Sequence, residues 1–173
     1  MLEVVRQLIS NQFDASLCML NECIVRCPED WWNQPVGNHP FCRVAFHTLF
    51  FTDFYLGEGD GDELNRQAFH RDHPDFFRNY EELEDREPAF LYDRPRVQLY
   101  LEHCREKAKR VVENETQQTL SGNSGFERRD CTRAELHVYS MRHIQHHVAQ
   151  LSLRLRRSCS IAIPWVAHAW KKE

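Results

Sequence analysis

Apolar positions recur at three- and four-residue intervals in four stretches of the chain, the mark of helices that bury one face, and no stretch alternates convincingly like a strand. The first, Glu3–Arg26, carries Val5, Ile9, Phe13, Leu17, Leu20 and Ile24 along one stripe. Pro28 stops it, and the following loop, Pro28–Pro40, holds three prolines and a glycine. Trp31 and Trp32 in that loop are expected to fold back over one end of the helices. The second stretch, Phe41–Leu56, is apolar almost all round, the profile of a helix covered on most sides.

The acidic, glycine-rich run GEGDGDE (Gly57–Glu63) ends this helix and opens a long connection over residues 57–93, with one short helical turn expected near Asn79–Asp85. A link of that length is unusual between adjacent antiparallel helices and suits a bundle in which one connection crosses the whole length. The third helix, Arg94–Gln118, has Pro95 in its first turn and Val97, Leu101, Cys104, Ala108 and Val111 as its core stripe. After the polar loop Ser121–Gly125 comes the fourth, Thr132–Arg157, opened by a Thr132/Glu135 capping box and striped by Met141, Ile144, Val148, Leu151 and Leu155. The pattern predicts an all-α fold, a four-helix bundle with one long crossover connection between the second and third helices. It forms a single domain over residues 1–173, with 158–173 a C-terminal strap carrying Ile161, Ile163, Trp165 and Trp170.

Composition adds mainly exclusions. A net charge of −4 without a basic stripe speaks against nucleic acid as a partner. No stretch approaches the ~18–20 apolar residues that span a bilayer, and the N-terminus does not read as a signal peptide. The seven cysteines are odd in number and show no C-x-x-C pair, so they are expected to be free thiols in a reducing, cytoplasmic setting. Apolar residues of the first helix outside its main stripe (Leu8, Ala15 and Cys18) point to a homodimer.

Candidate chemistry lies in the histidines. His143 and His147 are four apart and share one face of the fourth helix, spacing that can offer two imidazoles to one metal. His47 sits in the middle of the most apolar helix, and a buried imidazole needs partners for its nitrogens. Those partners are either a carbonyl, a tyrosine or a carboxylate, or a metal ion shared with His143 and His147. The other histidines offer less. His70 and His73 read as part of a polar loop; His39, His103, His137 and His168 have no partner at useful spacing; Glu81, Glu82, Glu84 and Asp85 read as a solvated acidic face.

A histidine within the apolar second helix (CRVAFHTLFFTDFYL) and a fourth helix with H-x-x-H-H-x-x-Q resemble the DinB/YfiT-like family of metalloenzymes, over about residues 3–157. The resemblance implies that His47, His143 and His147 are the three ligands of one divalent metal ion, and that His146 and Gln150 occupy motif positions that do not ligate. The chain departs from the family pattern at Val148-Ala149, where Arg-Gly is common. Relatives include enzymes that use low-molecular-weight thiols in transfer or isomerisation reactions. The resemblance therefore implies a metal-dependent thiol transferase or isomerase acting on a small-molecule substrate, with zinc favoured and nickel next. The alternatives are a metal-dependent hydrolase and a non-catalytic metal-binding or stress-associated protein. No catalytic residue is assigned.

Overall fold

Four amphipathic stripes become four long helices, and each turns its stripe to the same interior. The computed structural model describes residues 1–59, 68–77 and 91–167. Among them the chain is mostly helical, with long helices α1 (Leu2–Arg26), α3 (Phe41–Tyr55), α6 (Arg94–Asn114) and α8 (Arg133–Cys159). Short helices α2 (Glu29–Trp32), α4 (Ala68–Asp72), α5 (Pro74–Phe77) and α7 (Gln117–Ser121) fill the connections. Both α1 and α3 pack against α6 and α8. Ile9, Phe13, Leu17, Leu20 and Ile24 of α1 meet Val97, Leu101, Cys104 and Ala108 of α6 and Ile144, Val148, Leu151 and Leu155 of α8 in one core. Each large side chain buried this way contributes ~1.5–3 kcal/mol by leaving water.

The ends of the helices follow from local chemistry. Thr132 and Glu135 form the capping box of α8: the Thr132 N–H donates to the Glu135 carboxylate at 2.8 Å, and the Glu135 N–H to the Thr132 hydroxyl at 3.2 Å. At the other end Ser160 takes the left-handed conformation (φ 57°) and its N–H returns to the Leu155 carbonyl. The Asp93 carboxylate caps α6 by accepting from the Arg96 N–H at 3.0 Å. The third helix stops at Asn114 rather than continuing to Gln118. Glu115 is extended (φ −62°, ψ 136°), and Thr116 starts α7 with a capping box of its own to Thr119. This break turns the Glu115 carboxylate inward, toward Arg133 and His137.

The loop after α1 contains a small antiparallel hairpin, β1 (Pro35–Val36) with β2 (His39–Pro40), too short to leave an alternating pattern. Gly37 takes φ +64° at its turn, a conformation glycine adopts without steric cost. Trp32 does fold inward: its indole N–H donates to the Tyr92 carbonyl at 2.7 Å and its ring meets Phe41 at 5.7 Å. In the long connection, α4 and α5 press Phe69 onto Tyr100 (5.0 Å) and Phe76 onto Phe46 (5.1 Å). The turn expected at Asn79–Asp85 and the acidic face at Glu81–Asp85 lie outside the described residues, as do His168 and Trp170. The strap is only partly apolar cover: Ile163 is buried, while Trp165 is 79% exposed. Ala15 is buried in the core and Cys18 partly so; the exposed apolar residues near the start of α1 are Val4 and Leu8. No helix among the described residues is long and apolar enough to cross a membrane.

Candidate metal centre

His47 belongs to an α3 whose threonines Thr48 and Thr52 are already satisfied from within the helix. The Thr48 hydroxyl donates to the Val44 carbonyl and the Thr52 hydroxyl to the Thr48 carbonyl, both at 2.7 Å. The imidazole of His47 instead crosses to α8. Its Nε2 lies 3.3 Å from Nε2 of His143, and that atom lies 3.1 Å from Nε2 of His147. One candidate ligand nitrogen from each residue falls within 4.8 Å of the other two. His47 and His143 are half-buried and His147 is 6% exposed. Phe51, one turn after His47, stands edge-on to His47 (4.8 Å) and to His143 (5.7 Å) and walls the site with an apolar ring.

Burial and crowding keep these imidazoles neutral. Burial, then the proximity of His147 and His143, push the His47 pKa down to about 2. Burial, then His147 and His146, push His143 down to about 3. Burial also lowers His147, opposed by its hydrogen bond to Gln150. Neutral imidazole is the form that ligates metal. The His147 Nδ1–H donates to the Gln150 amide oxygen at 2.9 Å, which fixes the tautomer and leaves the Nε2 lone pair pointing into the cluster. The Gln150 amide nitrogen in turn donates to His146 Nε2 at 3.1 Å. Nδ1 of His47 and of His143 is buried without a hydrogen-bond partner among the described residues.

Three converging Nε2 atoms cannot satisfy one another, because neutral imidazoles supply lone pairs there with few protons to share. A small cation resolves the conflict. Nitrogens ~2.0–2.1 Å from a tetrahedral ion stand ~3.4 Å apart, and the two close approaches at 3.3 and 3.1 Å are near that spacing. The donor set therefore fits a divalent ion with imidazole preference. Cys104, the sulfur on the facing stripe of α6, is not among the ligands. Its thiol donates to the Leu49 carbonyl at 3.5 Å, and burial pushes its pKa well up.

Two further polar clusters correct the sequence reading of His70, His103 and His137. Asp53, fully buried on α3, accepts from Lys107 Nζ (2.7 Å) and from the Tyr100 hydroxyl (2.9 Å); His70 Nε2 (3.2 Å) and His103 Nε2 (3.3 Å) flank its two oxygens. Burial alone would raise the Asp53 pKa, but the hydrogen bonds from His103 and His70 and the Lys107 ammonium together hold it well below the usual carboxylate range. His70 is thus a buried partner and no part of an open polar loop. His137 meets Glu115 at 2.9 Å beside Arg133, also at 2.9 Å; these bonds outweigh burial and bring the Glu115 pKa down to about 2. Tyr100, His103 and Lys107 share one face of α6, a polar spacing that could have revealed the first cluster, as could Asp53 itself in so apolar a helix.

A family model described as the DinB superfamily matches residues 12–151, a span that includes all three clustered histidines. Comparison with curated proteins and with solved structures gives no match.

Proposed function

The chain belongs to the DinB superfamily, and on that premise we propose that it is a four-helix-bundle metalloprotein, with its long crossover between α3 and α6, in which His47, His143 and His147 hold one divalent ion. The observation that carries this reading is the convergence of three neutral Nε2 atoms from two facing helices, with no carboxylate or thiol in the group. Zinc is the favoured ion and nickel the next, since imidazole suits both. An ion with three neutral ligands keeps its positive charge and an open coordination position, which lowers the pKa of a bound thiol or water.

We assign the chain the role of a metal-dependent enzyme that uses a low-molecular-weight thiol for transfer or isomerisation on a small-molecule substrate. The protein's own contributions are separable. Gln150 holds His147 in the ligating tautomer, Phe51 excludes water from one side, and burial keeps the imidazoles unprotonated at neutral pH. The seven free cysteines fit a reducing cytoplasmic compartment. The exposed Val4 and Leu8 of α1 fit a homodimer contact, which light scattering at micromolar concentration would refute by returning a monomer mass.

The test is cobalt substitution in protein purified without a histidine tag. Elemental analysis is expected to find one metal per chain, and an added thiol is expected to produce a sulfur-to-cobalt charge-transfer band. Cobalt bound without such a band, for every thiol tried, would move the reading to the metal-dependent hydrolase.

A further inference from the structure

The metal-facing side of α8 does not end at His147. His143, His147, Gln150, Arg154 and Arg157 fall within about 80° of one another around the helix at ~100° per residue, so they form one stripe along the same face. Its C-terminal half, together with Leu153, forms one wall of a cleft of about 520 Å³ whose other wall is Val36 and Gly37 at the hairpin turn. That volume is in the range of small-molecule sites. Gln150 joins the two halves: its amide oxygen holds His147, and its side chain lines the cleft.

Among the described residues the two cations of this cleft have no counter-ion. Arg26 is paired with Glu22, Arg105 with Asp14 and Arg133 with Glu115, but Arg154 and Arg157 meet no carboxylate among the described residues. The Arg154 guanidinium is stacked 4.7 Å above the Trp31 ring, and its Nε is buried without a hydrogen-bond partner among the described residues. Stacking fixes the plane of the guanidinium without using its N–H donors, which presets it for a planar anion such as a carboxylate. Helical side chains lean toward the N-terminus, which for Arg154 is the direction of the histidines.

We propose that this cleft is the anion-binding end of the substrate site, where Arg154 and Arg157 take the carboxylate of a ligand whose reactive group meets the metal. The proposal rests on the metal site described above and narrows its ligand to an anionic, tripeptide-sized molecule. Seven residues of helix between His147 and Arg154 rise about 10.5 Å. The Arg154 side chain, leaning toward the histidines, takes up part of that rise. The half of a tripeptide between a central thiol and a terminal carboxylate, roughly 5–7 Å when extended, takes up the rest. The terminal carboxylates of such a ligand reach the arginines while its reactive group stays at the histidines.

Cobalt-substituted protein, titrated with glutathione and with glutathione diethyl ester and followed by the charge-transfer band, tests this. Wild-type protein is expected to bind glutathione at least tenfold more tightly than the ester. The Arg154→Gln/Arg157→Gln double variant is expected to lose that preference while keeping its metal content and its affinity for the ester. Equal affinities in wild type, or an unchanged preference in the double variant, would overturn the proposal. S-methylglutathione, which carries the carboxylates and no free thiol, separates this failure from failure of the thiol reading. Calorimetric binding to wild type that is lost in the double variant supports the cleft even if no thiol reaches the metal. No binding of either glutathione or its S-methyl derivative would refute it.

Discussion

One helix, α3, supplies the central residue of two buried polar clusters, and they have opposite chemistry. His47 and Asp53 are six residues apart, about 240° around the helix at ~100° per residue, so one faces α8 and the other α6. His47 meets two more imidazoles, all three with pKa values pushed down and each turning its Nε2 to the same point. Asp53 meets an ammonium, a phenol and two imidazoles that saturate both of its oxygens. Among the described residues the first cluster gathers imidazoles alone, whereas the second already contains a cation in Lys107. Buried polar residues in an apolar helix thus do not announce a functional site by themselves. What matters is whether the facing helix brings a compensating charge or leaves one to be supplied by an ion.

Removing the Asp53 carboxylate should give the largest effect, because it takes the buried acceptor from Tyr100, His70 and His103 and the counter-charge from the half-buried Lys107 ammonium. Asp53→Ala is expected to lower stability by about 3–5 kcal/mol, the usual cost of breaking a buried pair from one side, as read by urea denaturation at pH 7. Metal bound per folded chain should not change. Loss of metal in this variant would break the division between the two clusters. His47→Ala, His143→Ala and His147→Ala should behave in the converse way. Each is expected to weaken metal binding by more than about a hundredfold, since even an outer hydrogen-bonding partner commonly carries 10–100-fold, while far-UV circular dichroism stays close to wild type. Three single variants that each retain a full equivalent of metal would refute the site.

Acid should separate the clusters without mutation. The folded pKa values of His47 and His143 are about 2 and about 3, below the ordinary 6.5, so the unfolded chain takes up protons that the folded chain refuses. Their contribution to metal-free stability is therefore complete above pH 6.5 and is lost progressively as pH falls below it. The Asp53 pKa is also depressed, but from 3.8, so its contribution persists to about that pH and fades only below it. Denaturation midpoints of metal-free protein between pH 8 and 3 should fall in two stages. Added zinc should oppose the first stage, because metal and protons compete for the same nitrogens. A single transition near pH 4 would mean that the histidines titrate normally.

The stripes of α1, α3, α6 and α8 were legible in the sequence because helical periodicity is a local signal, and Thr132 with Glu135 marked the start of α8 for the same reason. His47 stood out as a polar residue that burial could not leave unpartnered. Asp53, in the same helix, met the same criterion, and applying it there would have pointed to a second cluster. Its partners were harder to find. His70 lies in a segment whose sequence is polar and short-periodic, and its burial depends on Phe69 and Phe76 docking onto distant rings. The break at Glu115 lies between Asn114 and Thr116, two weak helix formers whose local signal the longer helical run outweighed; the turned-in carboxylate there gains Arg133 and His137, which are distant in sequence. The Arg154–Trp31 stack likewise joins residues whose proximity only the folded chain creates.

The smallest effects should lie around the rim of the histidine cluster, where they distinguish a residue that orients a ligand from one that only steadies the orienter. Gln150 bonds directly to His147 Nδ1, so Gln150→Leu releases the tautomer and the ring, and a loss of about tenfold in metal affinity is expected. His146 is exposed and touches the site only at second hand: its Nε2 accepts from the Gln150 amide nitrogen, and its ring stands edge-on to His147 at 5.0 Å. Removing it frees the amide to rotate but leaves the Gln150 oxygen able to reach Nδ1. It also removes a neighbour whose proximity depresses the pKa values of His143 and His147. These consequences are individually small, and His146→Ala should weaken metal binding by less than about threefold, under ~0.7 kcal/mol at 1.4 kcal/mol per tenfold. Competition with a chromogenic chelator resolves that range. If His146→Ala instead matched the loss seen in His143→Ala, His146 would itself be a ligand, and the assignment of His147 with its Gln150 anchor would have to be exchanged for it.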